Sequence, residues 1–205
     1  GARDGICTTT ADDEKIRALY RVIFQRDPEA DETDIGRRFV QQQGLAEPPP
    51  PALPSPWQYG YGNIDTVAGK TSAFTRLEHF VDDNWRGGEK LPDDTLGWVS
   101  LGPRGGHPGR GAEHAAIRRW VSPVDGVVSI GGILRHENAD GDGVLGWIAS
   151  STNGVLWSGA AHNETSPTRV ETTAVHVGDT LDFVVSCNTE ESFDSYSWSP
   201  EIRLA

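Results

Sequence analysis

The spacing of apolar positions changes character near residue 50. Before that point Ile16, Leu19, Tyr20 and Ile23 recur at i, i+3, i+4 and i+7, the period of one helix face. Thr10 followed by Asp13 supplies an N-cap with an acidic residue behind it, which predicts a helix of about 15 residues. Arg26-Asp27-Pro28 makes a turn into a second helix that carries Ile35, Phe39 and Val40 and stops at Gly44, so residues 1–45 read as a helical hairpin. Two helices have no third layer to cover them, and Val22 and Phe24 lie off the main stripe, so the apolar face requires another surface. The hairpin reads either as an extension packing on the rest of the chain or as the tail of an upstream domain.

Beyond residue 56 the pattern is that of short strands. Candidate strands are Trp57 to Tyr61, Ala73 to Val81, Gly97 to Leu101, Ala115 to Val121, Val127 to Leu134, Val144 to Ser150, Val155 to Ala160, Arg169 to Val177, Thr180 to Ser186 and Tyr196 to Leu204. Turn sequences fall between them at Pro123-Val124-Asp125-Gly126, Asp140-Gly141-Asp142-Gly143, Asn153-Gly154 and Gly178-Asp179. Leu181, Phe183 and Val185 share one face while Asp182, Val184 and Ser186 take the other; Val128, Ile130 and Leu134 share a face in an earlier strand. Many short strands, frequent turns and no long helix predict a mainly β fold: an antiparallel jelly-roll-type β-sandwich over 57–205, preceded by the short helical hairpin.

Six prolines in Glu47 to Pro56 separate the two patterns, because proline fixes φ and removes a backbone donor. Residues 46–56 therefore read as an extended spacer. The chain of 205 residues has no Met, and no charged segment followed by an apolar one opens it. It is expected to be a processed chain or a segment of a longer one, with any signal peptide outside it. No apolar run reaches the roughly 20 residues of a membrane span, which excludes membrane insertion by a helix. Net charge is −12, and Trp57 to Ala205 carries 11 Lys and Arg against 20 Asp and Glu. Such a surface repels phosphate backbones, so nucleic acid is not an expected partner. Cys7 and Cys187 lie in different modules without metal-ligand spacing and read as free thiols.

WQYGYG from Trp57, AAIRRW ending at Trp120, GDGV from Gly141, AHN from Ala161, VGDTLDFVV from Val177 and DSYSWSP from Asp194 resemble the C-terminal module of large planctomycete proteins. Those proteins combine cytochrome c-like domains with domains of unknown function. LYRVIFQRDPEADE from Leu19 is similar to the helical end of the unknown-function domain that precedes the module. The resemblance covers nearly the whole chain in order. It implies a fragment of a secreted or cell-surface multidomain protein whose partners include its own upstream domains or a neighbouring subunit. It implies no activity.

The seven Trp suit glycan binding, because sugar C–H faces stack on aromatic rings while hydroxyls need polar neighbours. Trp120 and Trp198 sit within alternating strands and read as core. Trp85 lies in Asp82 to Gly88, which reads as a polar, Gly-rich loop, and Trp147 alternates with Val144, Gly146 and Ile148, so both are candidate stacking residues. Tyr59 and Tyr61 share a phase in the first strand and are further ligand-binding candidates, with edge packing as the plainer explanation. His107 is expected on a solvated loop, in Gly105 to Gly109, with a ligand contact as the alternative. Asn138 to Gly143 matches the first half of an EF-hand loop, with Asp140 and Asp142 as oxygen ligands. The match then fails, since Ala149 stands where Glu is required. A turn rich in Asp and Gly is the plain reading, and no cofactor is expected; a structural calcium helped by distant carboxylates is the alternative.

The six His form no zinc-binding pattern, CxxCH is absent, and no GxSxG, P-loop or GxGxxG precedes a helix. Asp93-Asp94, Glu190-Glu191 and Asp194 are the carboxylates a glycosidase would draw on, yet neighbours on a strand face opposite ways. The expected function is a non-catalytic carbohydrate-binding-like module that holds a larger exported protein against a polysaccharide or cell-surface glycan. A protein-docking or assembly module is the alternative, and a glycan-active enzyme domain the third reading.

Overall fold

The computed structural model describes residues 13–21, 26–44 and 55–205. The chain divides into two compact units, Gly1–Pro54 and Ser55–Ala205. Cys7, Thr10, Val22, Ile23, Phe24 and most of the Pro-rich run lie outside the described residues.

In the first unit a helix α1 (13–21) precedes α2 (Ala30–Gly44). The second helix starts with half a capping box: the Glu32 carboxylate accepts from the Glu29 backbone N–H at 2.8 Å. Ile16 is buried with its side chain against Gly36, where the absence of a Cβ admits it. Arg37 forks onto the Asp13 carboxylate at 2.8 and 3.0 Å. Leu19, Ile35 and Phe39 remain exposed. The predicted stripe is thus only partly used, because a pair of helices buries little more than its seam.

The second unit contains β1 (Trp57–Asp65), β2 (Lys70–Arg76), β3 (His79–Val81) and β4 (Asn84–Arg86). Next come β5 (Ser100–Leu101), β6 (Gly105–His107), a 3-10 turn at Ala112–His114, β7 (Ala115–Val121) and β8 (Gly126–His136). The chain ends with β9 (Val144–Ser150), β10 (Gly154–Ala161), β11 (Glu164–Val175), β12 (Thr180–Cys187), β13 (Tyr196–Trp198) and β14 (Glu201–Leu204). One sheet has the order β10-β9-β12-β7-β1-β2; the other runs β11-β8-β13-β6-β5-β4-β3, with β14 also on β8. All pairings are antiparallel.

The strand pairs β9–β10, β8–β11, β7–β12 and β6–β13 are nested and fall alternately in the first and second sheet. That is one long hairpin folded over on itself, the construction of a jelly roll. Pro200 stands between β13 and β14, which pair in succession with one side of β8. Proline cannot donate to the ladder, so the final strand breaks there.

Alternation directs the core. Leu181, Phe183 and Val185 face inward from β12 and Val128, Ile130 and Leu134 from β8, all buried. Trp120 and Trp198 are buried with them. Rings link across the interior: Trp157 to Trp198 at 5.5 Å, Trp198 to Phe183 at 5.5 Å edge-on, and Phe183 to Trp57 at 5.8 Å.

The outer face of the first sheet is also closed in part. Ile117 and Val184 have no exposure there and lie under Ile64, Phe74 and Trp147. Phe74 lies over Gly60, where a Cβ would come within 2.5 Å of its ring. The Arg119 guanidinium lies over that ring, 4.0 Å from its centroid, and forks onto Asp182 at 2.7 and 2.8 Å.

Candidate functional site

The site begins with a turn that carries no glycine. Val81 pairs with Asn84 across β3 and β4, leaving Asp82 and Asp83 as a two-residue loop with φ of 49° and 60°. Two left-handed residues make a type I′ turn, whose twist suits a tight hairpin. The Asn84 amide donates to the Asp82 carbonyl at 2.7 Å and Arg86 reaches the Asp82 carboxylate at 3.3 Å, both of which support the turn. Phe80 and Trp85 are therefore cross-strand partners, with ring centroids 5.0 Å apart. Trp85 lies in a strand and not in the expected loop. The second sheet's register, through Leu101, aims it at the interior, where Tyr59 of the first sheet meets it with rings 6.1 Å apart and inclined by 15°.

Tyr59, Phe80, Trp85, Asp83, Gly102 and Pro103 enclose a cavity of about 360 Å³ between the two sheets. Behind it lies Arg118, buried on the inner face of β7. Its guanidinium donates to the carbonyls of Gly102 at 2.5 Å and Trp198 at 2.9 Å and stands 5.8 Å from the Tyr59 ring centroid. Arg118 Nε is buried without a hydrogen-bond partner among the described residues. The cavity thus has aromatic walls, a positive charge behind them and Asp83 in its lining. Two other depressions, of about 550 and 530 Å³, are flanked by exposed ion pairs such as Arg135–Glu137 and Arg169–Glu171.

The structure brings Tyr59 and Trp85 together and separates them from the remaining candidates. Tyr61 also faces inward, edge-on to His114 at 6.1 Å. Neither tyrosine sits on an edge strand, since β2 lies outside β1. Trp147 is on the opposite face of the first sheet, half-buried against Ile117 and Val184. His107 is in β6, half-buried rather than solvated, 6.3 Å from the ring of Trp98. Burial pushes its imidazole below the usual range, and Nδ1 lies 2.6 Å from the Pro108 carbonyl. Phe80, Asp83, Gly102 and Pro103 were not among the sequence candidates. The apolar phase of His79-Phe80-Val81 is the one signal that marks Phe80.

The paired carboxylates have other partners. Asp93 accepts from the backbone of Thr95 at 2.9 Å and Leu96 at 2.8 Å, bonds that hold its acid below the normal range. Arg110 at 2.8 Å does the same for Glu191. Asp194 is fully buried, and desolvation together with the charges of Asp142, Glu190 and Glu191 pushes it up to about 7. Asp140 is exposed and Asp142 half-buried. Cys187 is a free, buried thiol. No helix among the described residues is long and apolar enough to cross a membrane. Compared with known proteins, the chain matches no protein-family model and no curated protein.

Proposed function

We propose that the module from Trp57 to Ala205 is a non-catalytic, carbohydrate-binding-like jelly roll that retains neutral glycans for a larger exported or cell-surface protein. The observation that carries this reading is the Tyr59–Trp85–Phe80 cavity with Asp83 in its wall. Rings supply faces for sugar C–H groups, while the Asp83 carboxylate accepts from hydroxyls. Its volume falls at the lower end of ligand pockets, roughly 300–1,000 Å³, which suits one or two sugar rings. The acidic module disfavours sulfated or uronate-rich chains. A small site of this kind gives weak affinity, because little of a long ligand is buried.

Affinity electrophoresis against neutral and acidic polysaccharides tests the proposal. Neutral chains should retard the protein, Trp85→Ala and Phe80→Ala should abolish the retardation, and Trp147→Ala should leave it intact. Phe80 is 57% exposed, so its truncation spares the core. If no neutral glycan retards the parent, or if both cavity variants bind as the parent does, the glycan reading fails. The docking-module reading then takes its place.

A further inference from the structure

Seven buried side-chain oxygen and nitrogen atoms have no hydrogen-bond partner among the described residues, and three of them are carboxylate oxygens: Asp142 Oδ1 and both oxygens of Asp194. All three belong to two loops that the fold presses together, 137–143 between β8 and β9 and 188–195 between β12 and β13. Thr189 N–H donates to Asp142 Oδ2 at 2.9 Å, Asn188 N–H to the Gly143 carbonyl at 3.2 Å, and the Asn188 amide to the Asp142 carbonyl at 3.4 Å. Gly141 packs so closely that a Cβ there would strike the Ser192 carbonyl. The side chain of Asp194 has no exposure.

A buried carboxylate without donors costs several kcal/mol, and a second one beside it adds repulsion. The neighbouring imidazole does not offset this. His136 Nε2 is 3.8 Å from Asp194 Oδ1, beyond hydrogen-bond reach, and is engaged with the Phe193 carbonyl at 3.0 Å. Its Nδ1 accepts from the Asn163 N–H at 3.3 Å, so both ring nitrogens are committed. Buried unsatisfied groups in native proteins call for an ion or an ordered water.

We propose that these two loops form a calcium-type site in which Asp142 and Asp194 are the anionic ligands. The donor set selects the metal class. His136 offers no nitrogen, since both of its ring nitrogens are occupied, and the unpartnered groups of the two loops are all carboxylate oxygens. Oxygen is what remains, which suits a hard cation. Among the described residues no three His, Cys, Asp or Glu groups stand together at metal-ligand spacing. Backbone carbonyls or water must complete the shell. Calcium accepts such irregular sets of six to eight oxygens, whereas magnesium demands a near-octahedral one. Asp140, on the same loop, is exposed and is not among the unpartnered carboxylates. The inference is independent of the glycan reading, since it uses none of the cavity residues.

Calorimetric titration of the full chain with calcium and with magnesium, paired with thermal unfolding in chelator, decides it. Calcium should bind once per chain at micromolar to millimolar concentration and raise the melting temperature. Asp142→Asn and Asp194→Asn should each weaken binding at least about tenfold, while Asp140→Asn should not change it. Should Asp194→Asn fail to fold, Asp142→Asn carries the comparison. The proposal is overturned if calcium at millimolar concentration neither binds nor shifts melting. It is equally overturned if magnesium acts as calcium does, or if the Asp142 variant binds unchanged.

Discussion

Removing the Arg119 guanidinium strands a carboxylate. Asp182 keeps only 4% of its side chain exposed, although it faces outward from the first sheet, and Arg119 holds both of its oxygens. Arg119→Met keeps an aliphatic stem and deletes the charge, leaving Asp182 buried and unpaired, a loss worth about 3–5 kcal/mol. The cation–π contact at 4.0 Å adds about 0.5–1 kcal/mol. Against a total stability of roughly 5–15 kcal/mol, that is a large share. With a urea m-value of about 2 kcal/mol/M, the midpoint should fall by about 2 M. The reverse truncation is milder, because Arg119 is 21% exposed and its freed guanidinium can turn to water. Asp182→Leu should therefore cost about 1–2 kcal/mol, and the double variant Arg119→Met/Asp182→Leu should lie closer to the parent than Arg119→Met alone. The seven Trp report urea unfolding by fluorescence. A cost below about 1 kcal/mol for Arg119→Met, or plain additivity in the double variant, would refute the closed-face argument.

Two further outcomes follow from the fold. His107 has a folded-state pKa depressed by burial, so its contribution to stability is complete above the ordinary histidine value and is lost as pH falls through the depressed one, where the unfolded chain binds the proton first. Urea midpoints of the parent should drop more steeply than those of His107→Gln between pH 7 and pH 5, as read by Trp fluorescence; parallel profiles would count against it. A peptide ending at Gly44 should show little helix by circular dichroism, since Leu19, Ile35 and Phe39 stay exposed and a pair of helices buries little beyond a seam such as that of Ile16 and Gly36. Cooperative melting of a monomeric peptide would contradict this.

The jelly roll was legible where burial is strict. Strand β12 alternates Leu181, Phe183 and Val185 with outward residues, and because its inward face touches Trp57 and Trp198 the pattern admits no slip of register. Trp120 and Trp198 followed from the same logic. The aromatic cavity was not legible, because its hairpin turns through Asp82-Asp83 instead of a glycine-bearing pair, and so Asp82 to Gly88 reads as loop. Strands of two or three residues such as β5 and β6 carry too few positions to show alternation. The segment Ala73 to Val81 reads as one strand yet divides into β2 and β3, which belong to different sheets. Asp194 carries no local mark either. Its loop meets that of Asp142 through the roll of the chain, not through any spacing in the sequence.

That meeting is imposed by topology. His136 at the end of β8 pairs with Tyr196 at the start of β13, and Val144 at the start of β9 pairs with Cys187 at the end of β12. The two connecting loops therefore leave the same end of the roll whatever residues they contain. A sequence free to place lysine in one of them would gain an ion pair, and this chain places Asp142 in one and Asp194 in the other. The aromatic cavity arises from a separate feature: β3 and β4 extend the second sheet past β5, so that Trp85 reaches Tyr59 on β1. One place is set by the crossing of loops and the other by the extension of an edge. Substitutions in either should therefore act independently, and a cation at the acidic end should stabilise the roll without altering the ring geometry of the cavity.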